Sequence, residues 1–149
     1  EVKGLTYGIF SYLDSRKYGN AFCISTSINQ DKTNASINDI FEISNEMANK
    51  KISEEEIKRS VAFMTGSFAR TLETPKQITG LIQTIDTYDL ELNFMTKFYK
   101  TLGNLTIDEL FEVQKKYFQT DNYLIACAGN SKALEIDLAP FGDFTHIKL

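Results

Sequence analysis

The feature that most constrains the fold is a change of hydrophobic period about 30 residues into the chain. Apolar side chains alternate with other residues from Leu5 to Phe10, and residues 21–28 (AFCISTSI) alternate again and are rich in β-branched residues. A period of two is typical of β-strands. Residues 14–20 (DSRKYGN) form a turn-forming cluster between these runs, in which Gly19 can adopt a positive φ. We therefore predict an antiparallel hairpin with a loop of several residues.

Apolar residues with helical spacing follow the hairpin. The first stripe consists of Ile37, Ile40, Phe41, Met47 and Ala48, and the second of Ile57, Val61, Met64, Phe68 and Leu72. Spacings of three and four residues place each stripe on one face of an amphipathic helix. Gly66 lies within the second stripe, and we expect it to permit close packing of that helix on the sheet.

Three helix starts are marked by capping boxes. The pairs are Ser53 with Glu56, Thr74 with Gln77, and Thr106 with Glu109. In such a box the first side chain accepts a hydrogen bond from the backbone N–H of the residue three positions later. The side chain of that later residue accepts one from the backbone N–H of the first. Pro75 follows Thr74 at the first helical position, where its missing N–H does no harm.

The remaining elements are predicted from shorter patterns. Residues 92–102 and 131–138 read as short helices, residues 123–129 (YLIACAG) as a strand buried on both faces, and residues 144–149 as an edge strand. Strands at both ends with helices between them predict an α+β fold, a mostly antiparallel β-sheet backed by helices on one face. The 149 residues are expected to form a single domain.

The composition excludes several classes of function. A net charge of −4 without clustered Lys and Arg argues against binding to nucleic acid or to an anionic membrane. His146 is the only histidine, so we predict no metal site and no catalytic apparatus in this chain. Cys23 and Cys127 lie in apolar runs and are expected to be buried free thiols, with a disulfide between two neighbouring strands as the alternative. They leave the cellular location open.

Several segments, taken in order, resemble one peptidase family. They are residues 4–8 (GLTYG), the hairpin through Ser25-Thr26-Ser27, the helix that opens with ISEEE, residues 66–75 (GSFARTLETP), the TIDELFEVQKKYF helix and the YLIACAG run. Together they resemble the C-terminal domain of the inverzincin zinc peptidases, which include pitrilysin, insulin-degrading and mitochondrial processing peptidases. The resemblance implies a mitochondrial processing peptidase-like metallohydrolase domain. It also implies that the chain is a fragment, without the first strand and helix of its own domain and without the zinc-bearing N-terminal domain.

The resemblance assigns one site residue. In this family the first domain binds zinc through a His-x-x-Glu-His motif and a distant Glu, while the second contributes Arg-x-x-x-Gly-Leu-x-Tyr to substrate binding. Gly4, Leu5 and Tyr7 match the end of that pattern, and the Arg would fall just before Glu1. The resemblance thus implies that Tyr7 binds the peptide substrate, and that zinc belongs to the parent protein and not to this chain.

Alternative functions stay open at this point. The implied partners are a peptide substrate and a zinc-bearing N-terminal domain or partner subunit, and a homodimer is possible. Some members of the family lack the zinc motif and serve as non-catalytic partner or structural subunits. A small-molecule-binding α+β module is a third interpretation.

Overall fold

The computed structural model describes residues 4–147, in which two β-strands precede six α-helices. The elements in chain order are β1 Thr6–Asp14, β2 Ala21–Ile28, α1 Thr33–Asn49, α2 Glu54–Phe68, α3 Pro75–Thr87, α4 Phe94–Gly103, α5 Ile107–Tyr117 and α6 Ser131–Leu138. Short 3₁₀ segments lie at Gln30–Lys32, Ala69–Leu72 and Ala139–Phe141. The predicted α+β class is confirmed. The residues form two compact units: the first combines residues 4–46 with 119–147, and the second is Met47–Phe118.

The predicted hairpin is confirmed, and its turn is closed by side chains. Strands β1 and β2 pair in antiparallel fashion up to the Asp14–Ala21 pair. The Asn20 side chain accepts the Arg16 N–H at 2.8 Å, and Arg16 forms an ion pair with Asp14 at 2.7 Å. Gly19 has a φ of +85°, a conformation in which a glycine is not strained.

In the first unit, the C-terminal segment is anchored to α1. The Phe41 ring lies 4.6 Å from the Tyr123 ring and 5.8 Å from the Phe141 ring, measured between centroids. The Tyr123 hydroxyl donates to the Phe141 carbonyl at 2.7 Å. Asn34 of α1 donates to the Asp137 carbonyl in α6 at 3.1 Å. These contacts hold α6 beside the first turns of α1, on which the predicted apolar residue Ile37 is buried.

In the second unit, a buried amide holds the last turn of α1. Gln114 of α5 is 2% exposed, and its Nε2 donates to the Met47 and Lys50 carbonyls at 2.8 and 3.2 Å. Carbonyl groups at a helix C-terminus have no partner within the helix, so these bonds satisfy two of them. Lys51 and Asp108 add an exposed ion pair at 2.5 Å.

All three predicted capping boxes are present. The N–H groups of Glu56, Gln77 and Glu109 donate to the Ser53, Thr74 and Thr106 hydroxyls at 3.2–3.3 Å. The side chains of these three residues in turn accept hydrogen bonds, at 2.9–3.1 Å, from the backbone N–H groups of Ser53, Thr74 and Thr106. The helices predicted at residues 92–102 and 131–138 are also found, as α4 and α6.

Two predicted strands are not formed. Residues 123–128 have no secondary structure, and Leu124 is 92% exposed, so the prediction of a strand buried on both faces was wrong. Residues 143–147 likewise form no strand, while 148 and 149 lie outside the described residues. A strand exists only through hydrogen bonds to a neighbouring backbone, and neither run has one among the residues described.

Three further predictions concern single side chains, and the structure agrees with them only in part. Cys23 and Cys127 are free thiols as expected, but Cys23 is half-buried and Cys127 exposed, because the run around Cys127 is not covered. Gly66 does not lie against another element: a Cβ added there would meet nothing within 4 Å. His146 is half-exposed and its Nε2 lies 2.8 Å from the Glu135 carboxylate, as suits a surface residue.

Candidate functional site

A β-bulge lies at the start of β1, where the resemblance places the substrate-binding residue. Thr6 is opposite Ile28, whereas Ile9 is opposite Thr26, so β1 has one more residue than β2 between these two pairs. An extra residue bends a strand, interrupts the ladder and redirects side chains, and such bulges recur beside active sites. Tyr7 and Gly8 occupy the bulge.

Two threonine hydroxyls hold the bulge. The Thr6 hydroxyl lies 2.8 Å from the carbonyl oxygens of Ser27 and Gly8, and it accepts the Gly8 N–H at 3.1 Å. The Thr26 hydroxyl lies 2.9 Å from both the Thr6 hydroxyl and the Gly8 carbonyl. Side chains thus replace the backbone bonds that the bulge interrupts, and they fix the backbone on both sides of Tyr7.

The bulge presents Tyr7 to solvent. Its relative accessibility is 111%, the highest among the exposed large apolar and aromatic side chains. A phenol can donate one hydrogen bond and accept another, and its ring can stack on a ligand. An aromatic side chain that packs against nothing in its own unit contributes little to the hairpin, whereas it is well placed to contact a ligand.

The described residues do not provide a metal site. No group of three or more His, Cys, Asp and Glu side chains within residues 4–147 is arranged to hold a metal ion. A zinc site needs three or four such ligands, so the residues present do not fit zinc. Tyr7 is the one site residue predicted in this chain, and the structure places it at the bulge.

A groove in the first unit was not foreseen from the sequence. It has a volume of about 490 Å³ and lies between residues 24–28 of β2 and residues 125–129. The rest of its lining consists of Gln30, Leu134 of α6, and Thr33, Ser36, Ile37 and Ile40 of α1. Sequence reasoning missed it because it assigned residues 123–129 to a strand inside the sheet. The only signal in the sequence was the apolar YLIACAG run, because a strand there would need a neighbouring strand to pair with.

No helix in the described part of the chain is long and apolar enough to cross a membrane.

The comparisons agree on one family of domains. Residues 1–64, which include the bulge and both strands, match the family model described as the peptidase M16 inactive domain. No curated protein matches the chain. A crystal structure of a peptidase M16 inactive domain from Pseudomonas fluorescens has a similar fold, with a TM-score of 0.71 and 18% sequence identity.

That similarity covers 80% of this chain and 28% of the Pseudomonas fluorescens chain, so this chain spans well under half the length of that relative. At this identity the solved structure shows the fold, while the family model supplies the match in sequence. The predicted recognition agrees with both comparisons: residues 1–64 match the peptidase M16 inactive-domain model, and the fold is similar to that of a solved domain of the same description.

Proposed function

We propose that the chain is the substrate-binding C-terminal half of a zinc-dependent endopeptidase, and that Tyr7 is its contact with the peptide. The observation that carries this proposal is the bulge, which holds a fully exposed tyrosine on a backbone fixed by Thr6 and Thr26. Zinc would be held by an N-terminal domain or by a partner subunit, because the residues described here do not fit the ion.

The phenol group suits the chemistry of peptide hydrolysis. Attack on a peptide carbonyl builds negative charge on the carbonyl oxygen, and a neutral donor held nearby stabilises that charge as it develops. The Tyr7 hydroxyl can donate to this oxygen or to a neighbouring carbonyl of the bound peptide. We also propose, from the resemblance and the greater length of the solved relative, that the parent protein supplies the first strand and helix of this domain.

Replacing Tyr7 by phenylalanine in the parent protein tests this role. Loss of one donor to a developing oxyanion should lower kcat/KM for a peptide substrate at least tenfold. Thermal stability should hardly change, because the Tyr7 side chain is fully exposed. Tyr18→Phe is a matched control, since it removes a hydroxyl from another exposed tyrosine in the hairpin turn. Equal kcat/KM for wild type and Tyr7→Phe would refute the role.

A second candidate is a non-catalytic partner or structural subunit of the same family. The matched model is described as an inactive domain, and this description fits a subunit of either kind. The two candidates differ in what accompanies the chain: a His-x-x-Glu-His motif in the parent protein favours the enzyme, and its absence favours the partner subunit.

A further inference from the structure

The position of the Tyr7 hydroxyl depends on the backbone around it. The Tyr7 side chain is fully exposed, so no packing within the described residues directs it. Tyr7 and Gly8 also have no partner residue in β2, because the bulge places both of them between two successive ladder pairs. Such a segment can change its φ and ψ angles unless other groups hold it, and glycine is the residue with the fewest steric restrictions. The groups that hold Gly8 therefore decide where the Tyr7 hydroxyl lies.

Two hydroxyl groups share two carbonyl acceptors in the bulge. The Thr6 hydroxyl lies 2.8 Å from the Ser27 carbonyl and 2.8 Å from the Gly8 carbonyl, and the Thr26 hydroxyl lies 2.9 Å from the Gly8 carbonyl. Each hydroxyl can donate only one proton. When Thr6 donates to Ser27, Thr26 supplies the proton for the Gly8 carbonyl. Both carbonyls therefore have a hydroxyl donor only while both threonines are present.

Thr26 is the member of this group that lies outside β1. Thr6 and Gly8 flank Tyr7 in β1, and the Thr26 hydroxyl of β2 is within hydrogen-bond distance of both, at 2.9 Å from the Thr6 hydroxyl and from the Gly8 carbonyl. Without Thr26, the one proton of Thr6 could reach either the neighbouring strand at Ser27 or the Gly8 carbonyl, but not both. Either choice would loosen the backbone on one side of Tyr7.

We propose that Thr26 is a positioning residue for substrate binding, which acts through Tyr7 and does not itself contact the peptide. Its hydroxyl fixes the Gly8 carbonyl, and this bond sets the direction in which the Tyr7 hydroxyl extends from the hairpin. The inference rests on the proposed function, because it assumes that Tyr7 binds the peptide substrate.

The chemistry proposed for Tyr7 is sensitive to its position. A donor stabilises a developing oxyanion when it lies about 2.7–3.1 Å from the oxygen atom. A misplacement of ~1 Å can lower the rate of an enzyme about 100-fold. A bond that fixes the backbone next to Tyr7 can therefore matter as much as the phenol group itself.

Hydrogen exchange in the 149-residue chain tests the structural half of the inference. The Gly8 N–H donates to the Thr6 hydroxyl at 3.1 Å, so its exchange rate reports whether the bulge is held. In Thr26→Val, which keeps the shape of the side chain but removes the hydroxyl, the Gly8 amide should exchange at least about fivefold faster. Thr26→Ser restores the hydroxyl and should return the rate to that of wild type.

Thr84→Val provides the matched control for this exchange experiment. The Thr84 hydroxyl donates to the Gly80 carbonyl at 2.9 Å within α3, so the same substitution removes one hydroxyl hydrogen bond far from the bulge in sequence. The Gly8 exchange rate should not change in this variant. An unchanged rate in Thr26→Val would overturn the inference, because the hydroxyl would then not hold the bulge.

Peptidase kinetics of the parent protein test the functional half. Thr26→Val should lower kcat/KM at least about fivefold, divided between kcat and KM in the same way as the loss in Tyr7→Phe. Thr26→Ser should restore kcat/KM, and Thr84→Val should leave it unchanged. When Tyr7→Phe is already present, adding Thr26→Val should change kcat/KM less than about twofold, because two residues that act through one hydroxyl are not additive. The assays are run at a temperature at which circular dichroism shows every variant to be folded.

The kinetic outcomes separate this inference from the proposed function. A loss of kcat/KM in Tyr7→Phe without a loss in Thr26→Val would overturn the inference and leave the proposed function standing. A full effect of Thr26→Val in the Tyr7→Phe background would show that Thr26 acts by another route, and would also overturn the inference alone. Equal kcat/KM for wild type and Tyr7→Phe would refute the proposed function, and the inference with it.

Discussion

Tyr7 and Gln114 show how single residues acquire their roles from distant parts of the chain. Tyr7 faces solvent because β1 has an extra residue, and the hydroxyl of Thr26 in β2 helps to hold that bulge. Gln114 is buried because the end of α1, more than 60 positions earlier, offers it two carbonyl groups. The resemblance pointed to Tyr7, whereas no pattern in the sequence distinguished Gln114 from an ordinary helix residue.

Gly66 leads to a prediction about stability. It lies in α2 with open space beside it, so an alanine would meet no other atom and would favour the helix. Gly66→Ala should raise the free energy of unfolding of the 149-residue chain by about 1 kcal/mol. Chemical denaturation monitored by circular dichroism measures this change.

A glycine in a different backbone conformation provides the control for Gly66. Gly142 has a φ of +126°, so Gly142→Ala should destabilise the chain although space is also open there. Lower stability of Gly66→Ala in the 149-residue chain would show that the expected gain in helix propensity is absent. Destabilisation confined to the parent protein would show that another part of that protein packs against α2.

At the scale of elements, the helices begin where the capping residues predict. The pair Thr106 and Glu109 starts α5, while the pair Thr74 and Gln77 starts α3 with the same bonds but no charge. Hydrogen bonds from the Thr106 side chain and backbone hold the pKa of the Glu109 carboxyl below 4.5, its ordinary value. A lowered pKa means that this carboxylate stabilises the folded chain above about pH 4.5, and that its contribution is lost as the pH falls through the folded-state pKa.

Glu109→Gln should therefore reduce the acid sensitivity of the chain. Glutamine keeps the acceptor that the box needs, as Gln77 does in α3, but it has no carboxyl to titrate. The difference in melting temperature between pH 6 and pH 3 should be smaller in the variant than in wild type. Glu112→Gln removes a carboxylate from the same helix without touching the box, and serves as the control. Identical pH dependence of wild type and Glu109→Gln would contradict the role of the charge.

At the scale of the whole molecule, residues 4–147 combine an α+β fold with no group of side chains arranged to hold a metal ion. The chain resembles the C-terminal domain of a peptidase family, and its described residues do not fit zinc. The purified 149-residue chain should show no zinc-dependent peptidase activity. An assay with a quenched fluorescent peptide, with chelator and with added zinc, measures this. Turnover that a chelator abolishes and zinc restores would contradict the assignment.

The sequence by itself determined the hairpin, the six helices, the three capping boxes and the resemblance that singled out Tyr7. The hairpin, the helices and the capping boxes depend on local hydrogen bonds. A helix pairs each N–H with a carbonyl four residues away, and a hairpin pairs two segments that are close in the sequence. Only the tertiary structure decided that YLIACAG remains unpaired, that Cys127 is exposed and that Gly66 has open space beside it. A strand needs a neighbouring backbone, and no pattern within the run itself shows whether one is present.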